Sequence, residues 1–426
     1  PVVTANCLAD EEKGDFKDLV MADHLAEELS NGNSFFIYQS PSVDSLSSCC
    51  FHKDQMVVTK SSLGINHCTF EEIYNAKWAD KKKNFTILHN GSWVKGKPVK
   101  LPNRPMYKIA LMNNKEIVVS DNHLHSTLRG DITTDNLQQD DYLLFNTNKL
   151  DSFPEKDIGL TYEQGVAVGA FLGDGSYGGR VRLASGEVKI YELTYSLNEQ
   201  CFEILAENIN KANAQLGRDT KLNLSLHDKL YSGRISSEPL VNLIKTWTAG
   251  CSADSKDLVL DCLLQSYEFR RGILDGWYLT DGGNSNRCYT VSEKLKSSME
   301  VLLTSLGMCS IIDVVDRTGK MEIKGVEYSR NHPLWCVRWY EPKNKRSMGG
   351  TYIFRNNSMY FKVKSIEKVD YEGDIYCFEM KNQDEPYFTL PNGLITHNCR
   401  LRNEFTDNTF SYTLGAGGVA TGSINV

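Results

Sequence analysis

The chain has 426 residues, which is too long for a single hydrophobic core, so we expect two to four domains. Its composition, 41% hydrophobic and 24% charged, is that of a globular protein, and no apolar run is long enough to span a bilayer. The net charge of −7 excludes a uniformly basic nucleic-acid binder, so any nucleic-acid surface must be local.

The N-terminal sequence and the cysteine usage favour a cytoplasmic location. PVVTANCLADEEKGD lacks the apolar segment of a signal peptide, and a start at Pro1 is typical of a fragment of a longer protein. The 12 cysteines are scattered and form no CxxC pair. This usage indicates a reducing compartment with a few reactive thiols rather than a disulfide framework.

The character of the sequence changes several times along the chain, which predicts a nested organisation. The predicted segments are, in order, an enzyme-like stretch at 1–49, short β-rich runs at 50–150, helices mixed with hairpin-like strands at 155–340, a polar linker at 341–360, β-rich runs again at 360–398, and a second enzyme-like stretch at 399–426. Asn90-Gly91 and Asn113-Asn114 predict tight hairpin turns in the first β-rich part.

An internal repeat lies inside the mixed segment. The two copies are Gly165-x3-Gly169-x3-Gly173-Asp174-Gly175 and Gly272-x3-Gly276-x3-Thr280-Asp281-Gly282. Small residues four apart let two helices approach closely, and a Gly after each Asp suits a helix C-terminus. A carboxylate there faces the negative end of the helix dipole, and a divalent cation would relieve two such carboxylates held together. The alternative is two unrelated helix ends with Asp-Gly turns.

These repeats resemble the paired motifs of LAGLIDADG homing endonucleases, as AVGAFLGDG at 167–175 and LDGWYLTDG at 274–282. The resemblance spans roughly 160–335. It implies an α+β pseudo-twofold domain whose sheets lie in the DNA major groove. It also implies that Asp174 and Asp281 hold Mg²⁺ ions that activate water. The family often has a basic residue near the metals, and Lys256 is our candidate.

Several basic residues are candidates for contacts with a double-stranded DNA homing site, which would be the host gene without the insert. They are Arg180, Arg182, Lys189 and Arg287. The alternative is a solvated sheet face. Residues 155–338 hold 21 Lys and Arg against 24 Asp and Glu, so charge does not support DNA binding. This balance mildly favours a decayed endonuclease, whereas the intact Asp174 and Asp281 oppose that interpretation.

The boundaries of the insert carry the residue types that peptide-bond exchange requires. A Cys thiol such as Cys50 can attack the preceding carbonyl and convert an amide to a thioester. A second thiol, Cys399, can take over the acyl group. The side-chain amide of Asn398 can cyclise onto its own carbonyl and cleave the chain. No cofactor is needed for these steps.

The same boundaries resemble those of inteins. LPNGLITHNC at 390–399 is similar to an intein C-terminus, and VVSDNHLH at 118–125 falls where inteins carry a Thr-x-x-His motif. The resemblance implies an all-β Hint (hedgehog/intein) horseshoe made of 50–150 and 360–398. It implies that Cys50 starts the acyl shift, that His123 protonates the departing nitrogen with help from Ser120, and that His397 assists Asn398. His125 is predicted to be structural.

The downstream part departs from the intein pattern in two places. Tyr376 is followed by Cys377 where a common pattern has Asp, and PYF at 386–388 lacks a frequent His. Cys377 is either a substitute acid or thiol for the later steps, or a buried core cysteine.

Joining the flanks gives SVDSLSSCCRLRNEF, which resembles the catalytic barrel of anaerobic (class III) ribonucleoside-triphosphate reductases. The resemblance implies a thiyl radical at Cys49 or Cys399, with the rest of the reductase chain as partner. The 77 flanking residues are only a fragment of such an enzyme. A third interpretation, an ordinary reductase with a regulatory insert that does not splice, predicts no cleavage at either boundary.

Overall fold

A computed structural model gives the coordinates of the chain. The described residues are 8–9, 16–17, 50–62, 64–76, 85–151, 153, 155–182, 188–197, 201–227, 230–315, 318–323, 326–342, 350–380, 386–398, 413–414 and 420–421. The chain divides into two compact units, one of residues 49–398 and one of the terminal segments 1–48 and 399–426. The terminal unit contributes two described strand pairs, Leu8–Ala9 with Phe16–Lys17 and Thr413–Leu414 with Ala420–Thr421. Apart from these, the enzyme-like flanks, with Cys49 and Cys399, lie outside the described residues.

The unit 49–398 begins with β-structure. Its first elements are β1 (Met56–Ser61), β2 (Gly64–Thr69), α1 (Phe70–Asn75), β3 (Phe85–His89), β4 (Ser92–Leu101), β5 (Met106–Leu111), β6 (Glu116–Ser120), β7 (Leu124–Thr127), β8 (Gly130–Thr133), a 3-10 turn (Thr134–Asn136) and β9 (Tyr142–Phe145).

A mixed segment of helices and strands follows. Its elements are α2 (Tyr162–Leu172), β10 (Gly175–Arg182), β11 (Val188–Leu197), α3 (Phe202–Gln215), β12 (Asn223–His227), β13 (Leu230–Ser236), α4 (Glu238–Trp247), β14 (Thr248–Ala249), β15 (Asp257–Leu258), a 3-10 turn (Leu260–Leu264), α5 (Tyr267–Asp281), β16 (Gly282–Gly283), β17 (Arg287–Thr290), α6 (Glu293–Ser305), β18 (Cys309–Val315), β19 (Gly319–Ile323), β20 (Val326–Arg330) and β21 (Leu334–Tyr340). None of the described helices is long and apolar enough to cross a membrane.

The chain then returns to β-structure with β22 (Tyr352–Arg355), β23 (Ser358–Val369), β24 (Ile375–Met380), β25 (Tyr387–Thr389) and β26 (Ile395–His397). The long strand β23 lies between β9 and β5 in the order β8-β7-β9-β23-β5-β6, and β22 pairs with β23. A second sheet has the order β24-β4-β3-β1-β2. Strands from both sides of the mixed segment therefore build the same sheets.

Asn-rich turns set the hairpins. Asn90 and Gly91 both have positive φ and join β3 to β4 in register, as the sequence predicts. The expectation of a linker at 341–360 is wrong for 352–360, because β22 and β23 form a hairpin there. Asn356 and Asn357, with φ of 51° and 59°, form its turn. The polar turn residues made this stretch look like a linker.

The mixed segment contains the same topology twice. In the first copy α2 is followed by two strands, helix α3 and two more strands, and the sheet order is β10-β11-β13-β12. In the second copy α5 is followed by two strands, α6, and strands β18 and β21, and the order is β16-β17-β21-β18. The second copy carries an added hairpin, β19–β20, between its third and fourth strands. The repeat read from the sequence is thus a repeat of structure.

Glycines hold α2 and α5 against each other. A Cβ on Gly169 would lie 1.9 Å from the carbonyl oxygen of Ile273, and one on Gly276 would lie 2.2 Å from that of Val166. The backbones are therefore in contact, and only glycine fits, which confirms the close helix approach predicted from the four-residue spacing. A capping box at Thr161 starts α2, and Ser266 caps α5.

Buried polar contacts join the mixed segment to the β-structure. The Arg270 guanidinium is fully buried and donates across the boundary to the Leu150 carbonyl, and within the mixed segment to the Ser305 carbonyl of α6. Lys115, in the β5–β6 hairpin, forms an ion pair with Glu300 of α6. Each group finds its partner across the boundary, so the two parts meet through specific contacts.

Candidate functional site

Cys50 precedes Phe51, which lies between strands β6 and β24. Phe51 exchanges both backbone hydrogen bonds with Tyr376 of β24, at 2.7 and 3.0 Å, and also bridges to Val119 of β6. The Cys50 N–H donates to Ser120 Oγ at 3.3 Å, and the Ser120 N–H donates to the Cys50 carbonyl at 2.9 Å. Cys50 is completely buried. These contacts hold the nitrogen of the upstream bond beside the Ser120 hydroxyl.

His123 contacts residues near both ends of the segment 50–398. It follows β6 directly, is completely buried, and packs edge-on against the Phe51 ring at 4.7 Å. Its Nε2 lies 2.7 Å from Oγ1 of Thr396, which is two residues before Asn398. One imidazole therefore touches the residue after Cys50 and a residue beside the downstream bond.

His397 lies in a polar cluster on the strand β26. Its Nε2 is 3.1 Å from the Asp131 carboxylate and 3.5 Å from Ser126 Oγ. The Tyr387 ring packs on it at 4.3 Å, because Tyr387 and His397 are opposite each other in the β25–β26 pair. Sequence reasoning identified His397 but missed Asp131, Ser126 and Thr396. The spacing of those residues carries no motif signal.

Asn398 ends the described β-structure and is buried. Its backbone N–H donates to the Pro386 carbonyl at 2.8 Å. With the side-chain amide turned to satisfy its neighbours, its nitrogen donates to the same carbonyl and its oxygen accepts from the Met380 N–H, both at 3.1 Å. The side chain of Asn398 is thus held in a defined orientation.

His125 and Cys377 also line this region. The His125 Nε2 lies 3.0 Å from Thr134 Oγ1, and burial together with the nearby His397 lowers the pKa of His125 to about 3. His125 therefore stays neutral near pH 7. Cys377 is completely buried in β24, and its thiol donates to the Phe378 carbonyl at 3.5 Å. It immediately follows Tyr376, the strand partner of Phe51.

The two aspartates of the repeat meet where α2 and α5 end. Asp281 is the last residue of α5, and Asp174 follows the C-terminal Gly173 of α2. A Cβ on Gly173 would lie 3.0 Å from an Asp281 carboxylate oxygen, so the two helix ends are in contact. Desolvation and the charge of Asp174 raise the pKa of Asp281 to about 7. Desolvation also raises the pKa of Asp174, although Lys256 lowers it.

Lys256 lies at the same centre. Its side chain is buried, and its ammonium donates to the Gly173 carbonyl. Burial lowers the pKa of Lys256, while Asp281 and Asp174 raise it. The sequence candidate Lys256 is therefore beside both carboxylates. Within the described ranges no group of three or more His, Cys, Asp or Glu side chains is arranged to hold a metal ion, so this is a centre of two carboxylates and one ammonium.

The candidate DNA contacts lie on the two sheets of the repeat. Arg180 and Arg182 belong to β10, and their side chains lie outside the described residues. Lys189 is opposite Val181 in the strand register, and its ammonium pairs with Glu238 at 2.8 Å. Arg287 of β17 donates to the Asn284 carbonyl. The strand register adds two residues that sequence reasoning missed: Arg234 is exposed on β13, and Arg338 is directly opposite Arg287.

Solved structures with partly similar folds are an I-DmoI homing endonuclease variant, I-DmoI bound to DNA and Ca, and a DnaB intein from Synechocystis sp. PCC 6803. The I-DmoI variant is 14% identical with a TM-score of 0.31, covering 42% of this chain and 88% of its own. The DNA complex is 13% identical with a TM-score of 0.31, covering 42% and 83%. The DnaB intein is 14% identical with a TM-score of 0.19, covering 22% and 67%. None of these likenesses decides a function by itself.

The family profile described as the intein splicing domain matches residues 60–398. No curated protein sequence matches the chain. The matched range holds most of the chain, and it ends at Asn398. The chain therefore belongs to the intein splicing-domain family.

Proposed function

We propose that the chain excises residues Cys50 to Asn398 by autocatalytic protein splicing and joins its two flanks. One observation carries this proposal: His123 packs on Phe51 at 4.7 Å and bonds Thr396 at 2.7 Å, so the same imidazole serves both ends of the insert. A chain must bring its two junctions together if it is to transfer an acyl group from one to the other.

The first step is an acyl shift at Cys50. The Cys50 sulfur attacks the carbonyl carbon of residue 49, the bond from that carbon to the Cys50 nitrogen breaks, and the freed amine takes a proton. Ser120 Oγ lies 3.3 Å from this nitrogen and orients it. His123, whose ring packs on Phe51 next to this bond, gives the proton to the departing nitrogen. The product is a thioester and a free amine.

The later steps release the insert. The Cys399 thiol attacks the thioester and takes the acyl group, which frees the Cys50 thiol. The Asn398 side-chain nitrogen then attacks its own carbonyl carbon, and the bond to the Cys399 nitrogen breaks to leave a cyclic imide. His397 assists this cleavage as an acid or base. Finally the Cys399 amine attacks the thioester and restores a peptide bond.

The experiment is intact-mass analysis of the purified chain after incubation with a mild reductant. The expected products are a free insert of 349 residues and a joined 77-residue flank. Cys50→Ala should retain only downstream cleavage, Asn398→Ala only thiol-induced upstream cleavage, and the double variant neither. A wild-type chain whose two junctions never react would overturn the proposal and favour a reductase with a regulatory insert.

A second function, site-specific cleavage of double-stranded DNA, is favoured by the paired aspartates. Two carboxylates with raised pKa values at the ends of two packed helices are unfavourable unless a cation joins them. Carboxylate oxygens are the donors that Mg²⁺ prefers. The residues therefore fit the ion.

In this function Asp174 and Asp281 would hold Mg²⁺, which supplies a Lewis acid for phosphodiester hydrolysis. Lys256 offsets part of the negative charge and fixes the Gly173 carbonyl at the end of α2. Arg287, Arg338 and Arg234 offer cationic contacts to the phosphate backbone from the two sheets. Arg338 is partly offset, because it also pairs with Asp313 at 2.6 Å.

The test uses a plasmid that carries the host gene joined across the insertion site. With Mg²⁺ the wild-type chain should linearise it, and Asp281→Asn should cut at least ~100-fold more slowly. Asp275→Asn, on the same helix but paired with Arg271, is the matched control. If Mg²⁺ raises the melting temperature of the wild type but DNA stays intact, the endonuclease has decayed. If Mg²⁺ changes neither, the cation site is wrong.

The host is proposed to be an anaerobic ribonucleoside-triphosphate reductase. The support is the joined sequence SVDSLSSCCRLRNEF alone. Splicing would bring Cys49 and Cys399 together, so the insert would keep the host inactive until it leaves. Expression of the complete host gene with and without Cys50→Ala tests this: reductase activity should appear only when the insert can splice.

A further inference from the structure

We infer that Asp131 is a positioning residue for His397 in the downstream cleavage, an inference that rests on the splicing function proposed above. The Asp131 carboxylate lies 3.1 Å from His397 Nε2 and also accepts from Ser126 Oγ at 3.0 Å and from Tyr387 Oη at 3.2 Å. A carboxylate held by three groups, with an imidazole among them, fixes the ring and its tautomer.

The hydrogen bond to Asp131 decides which nitrogen of His397 can react. A carboxylate accepts, so Nε2 carries the shared proton and the lone pair of the neutral ring belongs to Nδ1. Asp131 also favours the imidazolium form that arises when His397 takes a proton during Asn398 cyclisation. The same arrangement of carboxylate, imidazole and reacting group raises the effectiveness of histidine bases in enzymes.

Asp131 is also the solvent-facing end of this pair. The His397 side chain is only 6% exposed, whereas that of Asp131 is 41% exposed. A cavity of about 400 Å³ opens beside them and is lined by His89, Ser126, Asp131, Tyr387 and Ile395, among others. Protons can therefore reach the buried imidazole from the side that Asp131 occupies.

The titratable groups around His397 are few within the described residues. Asp131 faces it from β8, His125 from β7 and Tyr387 from β25. His125 stays neutral near pH 7, and burial raises the pKa of Asp131 less than its bonds to His397, Ser126 and Tyr387 lower it. Asp131 is thus the one anion of this group.

The test measures downstream cleavage in the Cys50→Ala background, where only Asn398 cyclisation cuts the chain. Asp131→Asn should slow it about tenfold and move the inflection of the pH–rate profile about one unit to lower pH, because the anion that favours the imidazolium is gone. Asp131→Glu should restore part of the rate. Asp135→Asn, in the following turn, is the control.

The possible outcomes distinguish a failure of the role inferred for Asp131 from a failure of the proposed splicing function. If Asp131→Asn cleaves slowly with an unmoved pH profile, or if Asp131→Glu restores nothing, Asp131 is only structural and the inference fails. If the Cys50→Ala parent itself never cleaves at Asn398, the splicing proposal fails instead.

A separate observation concerns Cys50 and Cys377. From it we propose that a disulfide between these two residues blocks splicing under oxidising conditions, which we call a redox lock. Phe51 and Tyr376 are an antiparallel pair that exchanges both hydrogen bonds. Extending that register by one residue puts Cys50 opposite Cys377, at a non-hydrogen-bonded position. Cα atoms at such positions are about 4.5 Å apart, within the roughly 4.4–6.8 Å range of disulfides.

The lock needs an external oxidant. A small-molecule disulfide takes two electrons and two protons from the Cys50 and Cys377 thiols, and yields a protein disulfide and two small thiols. Cys50 is then unable to attack residue 49, so splicing stops before its first step. Both side chains are thiols in the structure, the competent state.

The test treats the Asn398→Ala chain with oxidised glutathione and measures its mass and its thiol-induced upstream cleavage. The expected product has lost the mass of two hydrogens and does not cleave until dithiothreitol restores it. Cys377→Ser should instead gain a glutathione adduct or remain unchanged. A glutathione adduct that peptide mapping places on Cys50, with no Cys50–Cys377 disulfide, would overturn the lock, whereas an adduct on the exposed Cys251 does not bear on it. An untreated parent that never cleaves would count against splicing itself.

Discussion

Two polar centres differ in how their polar groups are paired. One, the splice centre, contains His123, His397 and Asn398, and the other, the paired-aspartate centre, contains Asp174, Asp281 and Lys256. At the splice centre His123 is hydrogen-bonded to Thr396 and His397 to Asp131. The side-chain amide of Asn398 is hydrogen-bonded to the backbone of Pro386 and Met380. At the other centre the charge of Asp174 raises the pKa of Asp281, and the ammonium of Lys256 offsets the two carboxylates only in part.

This difference matches what each centre has to do. A self-processing centre carries its substrate in its own chain, so it can be complete before it reacts. A centre for an external polyanion benefits from an unsatisfied carboxylate pair that a cation completes on binding. The most informative tests therefore change a residue in one region and measure stability or activity in the other.

The largest effect is expected where the two regions join. Glu300→Ala leaves Lys115, which is 5% exposed and whose pKa burial already holds well below its ordinary value, without its partner across the boundary, and should reduce the free energy of unfolding by about 4 kcal/mol. Urea unfolding measures this. The double variant Lys115→Met with Glu300→Leu should recover most of the loss, since no buried charge remains. Two separate unfolding transitions in the wild type would mean that the regions are not coupled.

The next effect comes from the helix contact. Gly169→Ala places a methyl group 1.9 Å from the Ile273 carbonyl oxygen, so α2 and α5 must separate, at a cost of roughly 2–3 kcal/mol. Thermal unfolding measures the loss. Glu207→Ala, exposed on α3, should change little. If Gly169→Ala slows splicing at a temperature where the protein is folded, the two centres are linked more closely than we infer.

An effect with a defined pH dependence is expected for Asp281→Asn. The pKa of Asp281 is about 7 in the folded chain and ~3.9 when unfolded, so folding costs free energy that appears as pH rises from 4 to 7. Since one pKa unit is worth ~1.36 kcal/mol, removing the charge should stabilise the chain by about 4 kcal/mol at pH 8 and by almost nothing below pH 4. Unfolding at both pH values measures it. A gain that is equal at both would contradict the raised pKa.

The sequence predicts the paired-aspartate centre more completely than the splice centre, for a physical reason. The Gly and Asp spacing of α2 and α5 follows from helix geometry, so the close contact and the meeting of Asp174 and Asp281 could be predicted. Asp131 and Thr396 could not, because they come together only where the β7–β8 hairpin packs against β26, which is far away in the sequence. The hairpin at 352–360 was mistaken for a linker because its turn, Asn356-Asn357, is as polar as a loop.

The smallest effect tests whether one imidazole serves both junctions. Thr396→Val removes the 2.7 Å hydrogen bond to His123 without changing the shape of the side chain, and should slow thiol-induced upstream cleavage about fivefold, or ~1 kcal/mol. The rate is measured in the Asn398→Ala background. Thr389→Val, equally buried but bonded to the Asn90 N–H, should leave it unchanged. If both variants slow the reaction alike, the effect is one of stability. If Thr396→Val alone does so, a residue beside the downstream bond controls chemistry at the upstream one, as transfer between two junctions requires.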